Sequence, residues 1–230
     1  MDKQWLGPGK LRTKFGLERE NEYTQKVVSA HSAPWYRDFC RHPDLKSFIE
    51  RLTGWSDATI LDRSLLRPNI PGGASTQVHY DQIFLRAGPA TTLTAWVPIG
   101  DISIRGGGLL YLENSVSVGQ QIEKEFDAAA TNLTPEEKIS AFNKNMMDTG
   151  FLEKDSGKFG KLWNRRWLAA DYEAGDVVFH DPFMIHSSAS NEDPNGVIRL
   201  ATDLRFFETG SPHDTRWDNI WSVSDTPIHF

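Results

Sequence analysis

Three side chains have the types and spacing to hold a divalent cation. His79 and Asp81 stand two apart in QVHYDQ, and His186 lies far downstream in GDVVFHDPFMIHSS. On a strand, alternate residues share a face, so Gln77, His79 and Asp81 point one way while Val78 and Tyr80 point the other. A His-x-Asp on one strand and a distant His on another is the layout of a two-His, one-carboxylate facial triad. Such ligands cover one face of a ferrous ion and leave the opposite positions open. Zinc accepts the same side chains, so the residue types alone leave the metal open, and a solvated polar stripe is the plainer alternative.

The triplet is cheap, because His42-Pro43-Asp44 repeats it. That copy opens RHPDLKSFIERLTG, where Leu45, Phe48, Ile49 and Leu52 recur at helical spacing and Gly54 stops the helix. Pro43 falls in the first turn, where its missing N–H costs nothing. Side chains two apart on a helix diverge around its axis, so His42 and Asp44 are helix-start residues.

The elements around the first pair are β-like. ATILDRSLLRPNIPGG, STQVHYDQIFLRAGP, ATTLTAWVPIGD and GGGLLYLE each offer a strand followed by Gly or Pro punctuation. Gly106-Gly107-Gly108 precedes LLYL rather than a helix start, so it reads as a turn and not a phosphate cradle. Residues 119–165 turn helical and charged, with a capping box at Thr134-Pro135-Glu136-Glu137. β character returns in RWLAADYEAGDVVFHDPFMIHSSASN and GVIRLATDLRFFE, with Asn195-Gly196 as a hairpin signal between them. In the last run Val197, Arg199, Ala201, Asp203 and Arg205 share a polar face. Ile198, Leu200, Thr202, Leu204 and Phe206 form an apolar one. Such strands fit a two-sheet barrel lined with polar groups and covered outside by helices: mainly β with flanking helices, a jelly roll. One domain over residues 1–230, carrying a helical insertion at 119–165, is the expected organisation.

Composition narrows the function. A formal charge of −6 provides no basic field for nucleic acid or an anionic membrane. No apolar run approaches the roughly 20 residues that span a bilayer, and MDKQWLGPGK has no signal-peptide core. The single Cys40 excludes an internal disulfide framework and fits a reducing compartment, so a cytoplasmic monomer or homodimer acting on a small molecule is expected.

HPDLKSFIERLTG, QVHYDQ, TAWVPIGD, GGLLYLENS, GDVVFHDPFMIHSSASN and the Arg199–Arg205 strand occur in one order across most of residues 40–207. As a set they resemble the phytanoyl-CoA dioxygenase (PhyH) family of iron(II)/2-oxoglutarate oxygenases. The resemblance implies a double-stranded β-helix of cupin-like type, with His79, Asp81 and His186 as iron ligands. It also implies a basic residue beyond the distal His that pairs with the far carboxylate of 2-oxoglutarate. Arg199 fits that role and Arg205, on the same face, is the runner-up. Gln77, Trp96 and Ser188 match other co-substrate positions. His79 arrives early, so the N-terminal portion looks shorter than is usual in the family.

The reaction implied consumes dioxygen and 2-oxoglutarate and hydroxylates, desaturates or cyclises a substrate. Retention of Asp81 argues against a halogenase, which would vacate that position. The insertion at 119–165 is the expected pocket wall. Its WNRRW stretch, Trp163 to Trp167, reads first as a surface strand edge. Beyond Arg165-Arg166 no cationic cluster suits a coenzyme A ester, so a free organic metabolite, of a kind made in secondary metabolism, is the expected substrate. Rival readings are an acyl-CoA hydroxylase, a cupin-like zinc hydrolase or isomerase, and a binding module with a vestigial triad. His31, His180, His213 and His229 are expected outside the ligand set.

Overall fold

A computed structural model of the chain describes residues 25–139 and 151–221. After a helical stretch at 25–31, helices α1 (Pro34–Cys40) and α2 (Pro43–Thr53) each begin on proline, whose fixed φ suits a first turn. His42 caps α2 by accepting the Asp44 N–H on Nδ1, and Gly54 ends it at φ 78°. The second His-x-Asp is therefore exposed helix-start chemistry, as its spacing predicts.

The larger sheet contains β1 (Ala58–Ile60), β2 (Leu65–Asn69), β3 (Leu93–Pro98), β6 (Val178–His180) and β8 (Arg199–Glu208). β8 is its spine, pairing antiparallel with β1, β2 and β3, while β6 adds to the far side of β3. Register sorts the side chains. Ala95 and Val97 share the outer face with Leu204 and Phe206, and these pack under Tyr36, Cys40 and Ile49 of α1 and α2. The apolar side of the last strand is thus the helix-covered side. Thr94 and Trp96 share the inner face with Arg205 and Asp203, and His180 opposite Thr94 joins them.

The smaller sheet runs β5 (Trp167–Leu168), β4 (Leu109–Leu112), β7 (His186–Ser188), all antiparallel. Residues 76–79 extend it, since Ser188 N–H reaches Thr76 O and His79 bridges His186. Its outer side packs Leu112, Val78, Tyr80 and Ile185 against Val118 and Ile122 of α3 (Val116–Ala129) and Phe159 of α4 (Ser156–Leu162). The two inner faces meet in a cluster of Trp96, Ala201, Leu109, Tyr172 and Ile102, which closes one end of the sandwich core.

Gly107 makes a turn at φ 78°, and the Thr134–Glu137 capping box closes with both reciprocal bonds. WNRRW ends on β5, the edge of the small sheet. Two expectations need correction. QVHYDQ is not one continuous strand: Val78 and His79 make single bridges, and Asp81 opens a 3-10 turn, Asp81–Ile83. Asn195-Gly196 does form a turn, with Gly196 at φ 74°, but it joins no hairpin. β7 pairs with β4 and β8 with β3, so this turn carries the chain from one sheet to the other. Residues 140–150 of the 119–165 insertion and His229 lie outside the described residues.

Candidate metal centre

His79, Asp81 and His186 converge. One ligand atom from each lies within 4.8 Å of the others, and all three residues are buried. Among the described residues theirs is the group of this kind. The two histidines come together because the 76–79 segment lies against β7; Asp81 reaches the same point because the 3-10 turn brings it round. Both imidazoles are oriented by backbone. His79 Nδ1 donates to Gln77 O at 2.7 Å and His186 Nδ1 donates to Met184 O at 2.9 Å, an assignment that leaves each Nε2 lone pair facing the centre. Carbonyl-oriented histidines of this kind are typical metal ligands.

Asp81 is held from several sides. Its Oδ2 accepts the Thr94 hydroxyl at 2.6 Å and Oδ1 accepts Arg205 Nη2 at 2.8 Å. His180 Nε2 lies 3.3 Å from Oδ2, and His180 Nδ1 lies 3.1 Å from the Tyr111 hydroxyl. His180 stays outside the ligand group, as expected, yet it touches a ligand. Thr94, Tyr111, His180 and the Arg205 contact were not foreseen as parts of the site. Strand alternation carried the signal for one of them: Thr94 is two before Trp96.

The protonation states suit a cation. Burial drives His79 well below its ordinary 6.5, with the His186 charge adding to the effect. Burial, then His180, push His186 down to about 4. Burial alone would raise Asp81, but Arg205 and the His180 hydrogen bond outweigh it and hold the carboxyl well below the usual range. At neutral pH the centre presents two neutral imidazoles and one carboxylate, a donor set that fits a divalent metal without shedding protons.

The remaining candidates separate. Arg199 is buried at the start of β8 and donates to Gly107 O at 2.9 Å and Arg67 O at 3.1 Å. Arg205, six positions along, is committed to Asp81. Trp96 is wholly buried, and its Nε1 has no hydrogen-bond partner. Ser188 accepts the Thr76 N–H at 2.7 Å. Gln77 is half-buried, and its carbonyl orients His79. Arg166 is tied to Glu113 at 2.8 Å, and Arg165 reaches the Glu113 carbonyl, so WNRRW offers no idle cationic pair.

A family model for phytanoyl-CoA dioxygenase (PhyH) matches residues 5–196. The chain belongs to that family. A phytanoyl-CoA dioxygenase domain-containing protein 1 homolog of Dictyostelium discoideum is 27% identical over 156 residues, 68% of this chain and 48% of that protein. The PhyH chain described here thus spans about half the length of that relative. Among solved structures, the non-heme α-ketoglutarate-dependent carbocyclase SnoK from nogalamycin biosynthesis is 21% identical with a TM-score of 0.53, covering 79% of this chain and 61% of its own. The epimerase SnoN of the same biosynthesis matches at 17% identity and TM-score 0.54, covering 86% and 67%. EctD from S. alaskensis, crystallised with bound Fe, matches at 14% and 0.53, covering 86% and 59%. These likenesses establish the jelly-roll fold. Among the described residues, no helix of this PhyH chain is long and apolar enough to cross a membrane.

Proposed function

We propose that this chain is an iron(II)/2-oxoglutarate-dependent oxygenase that oxidises a C–H bond of a small organic metabolite. The observation that carries the reading is the convergence of His79, Asp81 and His186 within 4.8 Å, with both imidazoles oriented for metal. Family membership and the iron bound in EctD support iron over zinc. Bound there, ferrous iron would couple decarboxylation of 2-oxoglutarate by dioxygen, giving succinate and carbon dioxide, to insertion of the second oxygen atom into substrate C–H or to a related two-electron oxidation.

The chain's own residues would bind and orient. Arg199 is the better partner for the far carboxylate, because Arg205 already neutralises Asp81. A guanidinium held by two carbonyls presents a rigid donor edge, which suits a carboxylate. The unpartnered Trp96 Nε1, the Ser188 hydroxyl and Gln77 supply further polar contacts for the co-substrate. Phe84 and Phe151 stand edge-on to His79, with ring centroids 5.6 and 5.5 Å away, and would form an apolar wall that keeps water from the reacting carbon. Phe151 begins the return of the 119–165 segment, whose Glu153 bridges Val78, so that segment would form part of the substrate pocket. Commitment of Arg165 and Arg166 to Glu113 favours a free metabolite over a coenzyme A ester.

Anaerobic addition of Fe(II) and 2-oxoglutarate should raise a visible charge-transfer band, and aerobic turnover should release succinate. Zinc retention with activity that ignores 2-oxoglutarate would overturn the proposal.

A further inference from the structure

Beyond the span matched by the family model, the chain leaves β8 and turns back beneath the loop that carries the first two ligands. The 3-10 turn Thr215–Trp217 lies there, and it contacts a neighbour of each. The Trp217 ring stacks 4.8 Å from the guanidinium carbon of Arg205, the residue that pairs with Asp81. Arg216 Nη2 and Trp217 Nε1 both donate to Phe84 O, at 2.9 and 3.3 Å, and the Phe84 ring stands against His79.

The seam is close-built. Asp214 is buried and accepts the Ala87 N–H at 3.2 Å, while Arg216 Nε returns to Asp214 at 2.8 Å. A Cβ on Gly88 would sit 2.4 Å from Asp214 N and 2.6 Å from His213 C, so only glycine allows the two backbones this approach. Trp217 also packs with Leu61, Leu85 and Phe207, and its carbonyl accepts the Arg63 N–H at 2.9 Å. Through Leu61, Phe207 and Arg63 the segment is also fastened to parts of the fold outside the metal loop.

We propose that His213–Trp217 is a positioning strap for the metal centre: Trp217 steadies Asp81 through Arg205, and Arg216 with Trp217 steadies His79 through Phe84. The proposal rests on the metal-centre reading above. The single His79–His186 bridge and the 3-10 turn at Asp81 are short of an extended strand ladder, and the strap adds support on the side away from β7. Residues that orient ligands from outside the coordination sphere typically govern metal affinity by about 10- to 100-fold.

The test is Co(II) titration of the metal-free full chain, followed by its ligand-field absorption, in wild type, Trp217→Ala, Trp217→Phe, Arg216→Ala and Ile49→Val. Trp217→Ala and Arg216→Ala should bind Co(II) about tenfold more weakly and shift its bands. Trp217→Phe keeps an aromatic face over Arg205 and should recover much of the loss. Ile49→Val, on the sheet-facing side of α2 in the core, should melt lower yet bind Co(II) as wild type does. Should Trp217→Ala fail to fold, Arg216→Ala decides, since that side chain is 44% exposed. Wild-type affinity and spectrum in the strap variants would overturn the strap alone. Absence of Co(II) binding in wild type would overturn the metal centre, and the strap with it.

Discussion

His79 and His186 exchange both of their backbone hydrogen bonds, His79 N–H to His186 O at 3.0 Å and His186 N–H to His79 O at 2.9 Å. A reciprocal pair of this kind fixes two Cα atoms opposite each other and sends both side chains to one face. The ring centroids end 4.2 Å apart. Ladder geometry therefore sets the spacing of the two nitrogen donors, and the Nδ1–carbonyl bonds set their aim.

Because that scaffold is backbone, losing one imidazole should empty the centre without dismantling it. His186→Ala should keep the far-ultraviolet dichroism of wild type. Its Co(II) affinity should fall by more than the roughly 100-fold that marks the upper end of outer-sphere losses. Titration of metal-free protein with Co(II) reads this directly, and a loss of only a few fold would remove His186 from the ligands.

Much of this was legible from alternation. The polar and apolar faces of Arg199–Glu208 announce an inner and an outer side, and the structure puts helices on the side that Leu204 and Phe206 predict. The triad was legible too, because His79 and His186 obey strand periodicity. Asp81 converges by a different route. Its two-residue spacing is the same, but a 3-10 turn delivers it, and no propensity in YDQIF separates a turn from a continuing strand. Arg205 as the Asp81 counter-ion was hidden because it depends on which strand lies beside β8. The register Thr94 opposite Arg205 is a tertiary fact that periodicity within one strand cannot express.

The Asp81–Arg205 pair makes a prediction about the metal-free fold. Both side chains are 2% exposed, and breaking a buried pair by removing one partner strands the other charge. Asp81→Asn should cost about 3–5 kcal/mol in urea denaturation of the metal-free protein. Adding Arg205→Met should recover most of that loss, since an apolar replacement of a whole buried pair is often neutral. Neither variant should bind Co(II). If Asp81→Asn costs less than about 1 kcal/mol, or the double variant is the less stable, the pair is not the electrostatic unit described here.

His31 gives a pH signature away from the metal. It is buried, donates through Nδ1 to Val27 O at 2.8 Å and accepts the Leu66 N–H on Nε2 at 3.0 Å, so protonation would break the bond to β2. Burial lowers its pKa below the ordinary 6.5. The folded state then binds fewer protons than the unfolded one. Stability from this group is full above pH 6.5 and is lost as pH falls through the depressed folded value. His31→Gln keeps an acceptor for Leu66 and carries no titration. Its melting temperature should decline less between pH 6.5 and 5 than that of wild type. The difference is bounded by about 1.4 kcal/mol per pH unit, the limit for one proton. Parallel curves would exclude His31 from the acid response.

Replacing Arg199 tests co-substrate binding apart from metal binding. It stands at the opposite end of β8 from Arg205, roughly 20 Å of strand away at about 3.3 Å per residue, so its loss should not disturb Asp81. Charge-assisted hydrogen bonds contribute about 1.5–3 kcal/mol, and each 1.4 kcal/mol is about tenfold in binding. Arg199→Ala should therefore weaken 2-oxoglutarate by about 10- to 100-fold, read from titration of the charge-transfer band. Arg199→Lys should recover part of this, because an ammonium supplies the charge without the planar fork. Co(II) affinity should stay within about twofold of wild type in both, on the reasoning that distant, unshared sites act independently. Undiminished 2-oxoglutarate binding in Arg199→Ala would reassign the buried guanidinium to holding the Gly107 and Arg67 carbonyls. The co-substrate's distal carboxylate would then need another partner.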